Sequence, residues 1–111
     1  MTQEQLRNLD TIVDTYGVDA QTDMAIEECS ELIKALLKYR RKKNGAEVFA
    51  KEELRADIID EIADVAIMAT QLQIIFGCIA EVEDRIDFKI SRQMERIRNR
   101  SEGIANENRT D

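Results

Sequence analysis

Apolar residues recur along this chain at three- and four-residue intervals, and the recurrence falls into four stretches. The first, residues 2–16, carries Leu6, Leu9, Ile12, Val13 and Tyr16, which form one stripe when wound at 3.6 residues per turn. The second, residues 21–43, carries Met24, Leu32, Ala35, Leu36 and Tyr39 and closes on "KYRRKKNG", a basic end that suits the helix macrodipole. The third, residues 52–76, is apolar on most sides through Ile58, Ile59, Ile62, Val65, Ile67, Met68, Leu72, Ile74 and Ile75. The fourth, residues 79–100, has acids early (Glu81, Glu83, Asp84) and arginines late (Arg92, Arg96, Arg98, Arg100). Gly17, Gly45, Gly77 and Gly103 stand at roughly helix-length intervals, where glycine ends helices. Residues 44–51 read as a loop or short turn, and residues 101–111 as a frayed tail.

This pattern predicts an all-α chain, with residues 1–100 as a single domain. The short connection between the second and third helices implies an antiparallel pair. A helix that is apolar nearly all round is buried nearly all round. Three other helices of so small a chain hardly cover the third, so a partner copy is expected, as a homodimer or a tetramer built from dimers. The absence of proline and tryptophan, with only four glycines in 111 residues, leaves few turns and little β character.

Charge and composition then narrow the function. A formal net charge of −7 argues against a partner of polymeric nucleic acid, whose phosphates demand a basic face. There is no histidine, which removes His-dependent nucleophiles, the usual catalytic zinc sites and the Glu-x-x-His pairs of di-iron bundles. The start "MTQEQLRNLD" does not read as a leader peptide, and no apolar run has the length to cross a bilayer. Cys29 and Cys78 make no disulfide framework, so a cytoplasmic location with reduced thiols and no membrane partner is expected.

Two acidic clusters stand out against this background. In "AIEECSELIKALLKYRR", Glu28 and Glu31 are three apart, with Glu27 beside them; in "IIDEIADVAIMA", Glu61 and Asp64 are three apart, flanked by Asp57 and Asp60. Residues three apart share a helix face. On antiparallel neighbouring helices the two pairs meet, and four carboxylates in a partly dry place repel one another. Such a cluster persists by protonating, by staying wet or by holding cations. All-oxygen ligands select hard ions, so Mg2+, or Mn2+ in its place, is the expected occupant. The plain alternative for either pair alone is a solvated helix face.

"EECSELIKAL" followed by "DEIADVAIMATQLQ" resembles the Glu-x-x-Glu and Glu-x-x-Asp signature of MazG-like all-α nucleoside triphosphate pyrophosphohydrolases. "DFKISRQMERIRNR" is similar to the Lys/Arg-bearing helix that follows the second motif in that family. The resemblance spans about residues 20–100, most of the chain. It implies an antiparallel four-helix MazG-like bundle completed by oligomerisation. It also implies a Mg2+-dependent enzyme that cleaves a nucleoside triphosphate to the monophosphate and pyrophosphate in nucleotide-pool housekeeping. Glu28, Glu31, Glu61 and Asp64 match the metal-binding positions, and Glu28 or Glu31 would activate the water.

Lys89 and Arg92, with Arg96, form a basic stripe that the resemblance places at substrate phosphates; the alternative is a complement to the helix dipole. Lys34, one turn from Glu31, is a further phosphate candidate. Phe49 either stacks on a base or covers the core, and Cys29 is expected to pack against core. The competing functional class is a non-enzymatic helical oligomer, an interaction or regulatory module whose acids face solvent or a basic partner.

Overall fold

The computed structural model describes residues 1–42 and 50–109, and their side chains over 1–42 and 52–104. Four helices account for nearly all of them, and no strand occurs among the described residues. They are α1 (Gln3–Tyr16), α2 (Val18–Lys42), α3 (Ala50–Phe76) and α4 (Ile79–Arg109). The expected loop lies outside the described residues as far as Phe49, and its last two positions belong to α3. Past Arg100, where the periodic pattern ends, α4 continues to Arg109, because nothing there breaks a helix: Gly103 keeps a helical backbone and no proline follows.

The chain divides into two compact units, Met1–Gly77 and Cys78–Asp111. In the first, α2 and α3 pack along one another most extensively and α1 lies against both. Thr2 caps α1 through a capping box: its hydroxyl accepts from the Gln5 backbone N–H at 3.0 Å, and the Gln5 side chain accepts from the Thr2 N–H at 2.8 Å. Leu9 and Val13, one turn apart on α1, are buried together with Ala25 of α2 and Leu54 of α3. Ala25 suits a close crossing because it brings no bulk between helix backbones.

Gly17 makes the abrupt turn from α1 into α2. Its φ of 94° and ψ of 161° lie in a region that is essentially glycine-only. Its N–H donates to the Val13 carbonyl at 2.8 Å, and its own carbonyl accepts from Gln21 N–H at 3.1 Å. An added Cβ meets nothing within 4 Å, so a substitution here costs backbone strain alone. Gly17→Ala is expected to lose about 1–3 kcal/mol of stability in denaturant titration. A variant as stable as the parent would show that this turn relaxes freely.

The third helix is less covered than its sequence implies. Within the single chain Ile59 and Ile62 are 47% and 53% exposed, and Ile26, Ile33 and Leu37 of α2 are exposed as well. Only Leu54 and Gln71 of α3 are buried among the described residues. In the second unit, Arg85 and Arg92 hold their guanidinium groups over the Phe88 ring at 4.8 and 5.6 Å, a cation–π arrangement on neighbouring turns of α4.

Candidate functional site

Glu28, on α2, and Glu61 and Asp64, on α3, each offer a carboxylate oxygen, and these oxygens all lie within 4.8 Å of one another. Helical spacing brings them there. Glu61 and Asp64 stand three apart on α3, so they project from one face, and Glu28 meets them from the facing helix. Glu28 feels Asp64 most strongly among its charged neighbours, whereas Glu61 feels Glu31 across the helix pair. Rising numbers on α2 thus face falling numbers on α3, as an antiparallel pair requires.

All three acids are half-buried. Glu61 Oε2 is sealed from solvent and accepts no hydrogen bond. Partial burial raises the pKa of Glu28 above 4.5, helped by the charge of Asp64, a hydrogen bond with Asp64, and the charges of Glu61 and Glu27. Glu61 is raised as well, first by burial, then by Asp64, Glu31, Asp60 and Asp57. A raised carboxyl binds its proton more tightly in the folded chain than in the unfolded one. Its contribution therefore favours folding below the ordinary value of 4.5 and is lost as pH rises through the raised folded value. In chelator, Glu28→Gln should melt close to the parent at acid pH and above it at neutral pH. A constant difference across that range would mean that Glu28 feels no repulsion.

The donor set fits a hard divalent ion. Three carboxylate oxygens within 4.8 Å of one another, with no nitrogen or sulfur donor among them, are the kind of set that would hold Mg2+. A bound cation would give Glu61 Oε2 the partner it lacks.

Glu31 is not among the three. Its Oε1 takes the Lys34 ammonium at 3.4 Å, a half-exposed pair within α2. Lys34 itself is well exposed, so the pair contributes little stability. Lys89 and Arg92 belong to α4, in the second unit. Glu27 is exposed, and its carbonyl accepts from the Ser30 hydroxyl at 2.7 Å. Cys29, expected against core, is an exposed free thiol beside Ile26, Ile33 and Leu72, because its side of α2 is left uncovered in the single chain.

Beside the acids a cleft of about 530 Å³ opens among α1, α2 and α3, with Glu28 and Asp64 in its lining. Most of the remaining wall is apolar: Ile12 and Tyr16 from α1, Met24 from α2, Ile67 and Met68 from α3. Two glutamines interrupt it. Gln21 is buried, and Gln71 is the one large side chain sealed almost completely among the described residues, 1% exposed, with its Oε1 lacking any hydrogen-bond donor. An orphaned buried amide oxygen costs about 1–3 kcal/mol. Neither glutamine stands out by residue type in the sequence. The signal was spacing: Gln71 follows Asp64 by seven residues and Gln21 precedes Glu28 by seven, which puts each on its acid's helix face. No protein-family model, curated protein or solved structure matches the chain.

Proposed function

We propose that this protein is a Mg2+-dependent nucleoside triphosphate pyrophosphohydrolase of the MazG-like kind. The observation that carries the reading is the convergence of Glu28, Glu61 and Asp64 beside a cleft of nucleoside size, with a sealed, unpartnered oxygen on Glu61. Carboxylates held together at an electrostatic cost, next to a pocket, suit a function that supplies a cation.

When bound, Mg2+ neutralises the triphosphate and polarises the phosphoryl oxygens. Glu28, Glu61 and Asp64 would hold it. Glu31, left outside the three and oriented by Lys34, accepts a proton from the attacking water. The water oxygen bonds to the α-phosphorus as the bond to the α,β-bridging oxygen breaks, and pyrophosphate leaves with that oxygen. Lys34, in the same unit as the acids, is the cation of this reading that meets phosphate oxygens.

Pyrophosphate release across a panel of ribo- and deoxyribonucleoside triphosphates with Mg2+ tests the reading. At least one is expected to be cleaved; none cleaved would refute the enzyme and leave the interaction module. Self-association belongs to the same proposal, since Ile26, Ile33, Ile59 and Ile62 remain exposed in one chain. Light scattering is expected to give a dimer or tetramer; a stable species of 12.8 kDa at micromolar concentration would overturn that part.

A further inference from the structure

The end of the cleft away from the acids is the part of the molecule that the metal chemistry does not use. Its depth is set by helix geometry. Seven residues separate Gln71 from Asp64 on α3 and Gln21 from Glu28 on α2, a rise of about 10.5 Å along each helix. The glutamines thus form one level of the antiparallel pair and the acids another, separated by about the length of a nucleoside. Between the levels the wall is apolar, with Tyr16, Met24 and Met68 offering flat or adaptable surface.

We propose that this end of the cleft binds a nucleobase, and that Gln71 reads the base's hydrogen-bonding edge, with Gln21 beside it. A carboxamide presents one acceptor and one pair of donors, the complement of a base edge that places a donor next to an acceptor. Gln71 Oε1 is an acceptor without a donor, in a side chain that lines the cleft and is 1% exposed. The terminal torsion of glutamine is broad, so a modest rotation presents the amide to a ligand. A core position with no recognition task is better filled by leucine or methionine, which leave nothing unpaired. The ligand class is a base-bearing nucleotide, as opposed to an inorganic or sugar polyphosphate. This rests on the pyrophosphohydrolase reading for its orientation, phosphates toward the acids and base toward the glutamines.

Binding without turnover tests it. Nucleoside 5′-monophosphates of adenine, cytosine, guanine and uracil, and ribose 5-phosphate as the baseless control, are titrated into the full chain with Mg2+. Calorimetry is read for the parent protein and for Gln71→Met, which keeps the shape and removes the amide. At least one nucleotide should bind the parent more tightly than ribose 5-phosphate, and Gln71→Met should weaken that nucleotide about tenfold while leaving ribose 5-phosphate unchanged. The ligand-free variant should melt higher than the parent, since it buries no orphaned oxygen, so a failure to fold is not the expected confounder. Should Gln71→Met nonetheless fail to fold, Gln21→Met is read in the same way. Equal binding of ribose 5-phosphate and every nucleotide, no nucleotide binding, or unchanged affinity in the variants would overturn the proposal. Base-dependent binding without pyrophosphate release would instead refute the enzyme and leave the base site standing.

Discussion

Asp64→Asn should remove both Mg2+ binding and pyrophosphate release, while circular dichroism shows unchanged helix. Asp64 is the common neighbour: it is the strongest charged influence on both Glu28 and Glu61. An amide in its place keeps the volume but removes the charge that a hard cation requires, so the ion is lost along with its stabilisation of phosphate charge. Losing one such electrostatic contribution typically costs about 10²–10³-fold in turnover. Glu31→Gln separates binding from chemistry. Glu31 lies outside the cluster of three and pairs with Lys34, so its variant should lose turnover by about 10²-fold or more yet keep the Mg2+-induced rise in melting temperature. Parental activity in Asp64→Asn would refute the site. Loss of the Mg2+ response in Glu31→Gln would move Glu31 from base to ligand.

Much of this was legible in the chain because helices write themselves into sequence as periodicity. The stripe of Leu6, Leu9 and Val13 ends at Gly17, where the backbone takes a conformation that side chains disfavour, and α1 ends there. The three-residue spacing of Glu61 and Asp64 guarantees a shared face, and the antiparallel path brings Glu28 to it. Side-chain choice was not legible. Glu31 shares a face with Glu28, yet it turns to Lys34, one of several rotamers that spacing alone leaves open. The extent of α4 also escaped, because its last residues carry no apolar pattern while nothing in them forbids a helix. Gln71 was hidden for a different reason. One of several polar residues on α3, beside Thr70 and Gln73, it reads as an exposed position until the neighbouring helices are in place, and only then does its burial become visible.

Magnesium itself gives the second large effect, read by stability rather than by turnover. Three carboxylates within 4.8 Å, two of them with raised proton affinity, mean that the metal-free fold holds repulsion that a cation relieves. An ion bound by the folded chain alone stabilises it by about 2.7 kcal/mol at a hundred times its Kd. For a unit of this size each kcal/mol is worth about 4–8 °C, so a rise of roughly 10–20 °C is expected. Glu61→Gln should act in two opposite directions. In chelator it should melt above the parent, because one of the repelling charges is gone and Oε2 no longer stands sealed as part of a carboxylate. In Mg2+ it should gain far less than the parent, because the ion has lost a ligand. Sodium at matched ionic strength controls for general screening, which weakens all surface repulsion alike and does not single out Glu61. On a solvated acidic face the substitution changes stability by no more than about 0.5 kcal/mol, and Mg2+ shifts both proteins equally. Equal shifts would therefore remove the metal from this site and favour the interaction module. Opposed shifts, up in chelator and down in the magnesium response, require that Glu61 faces the other acids and shares their ion.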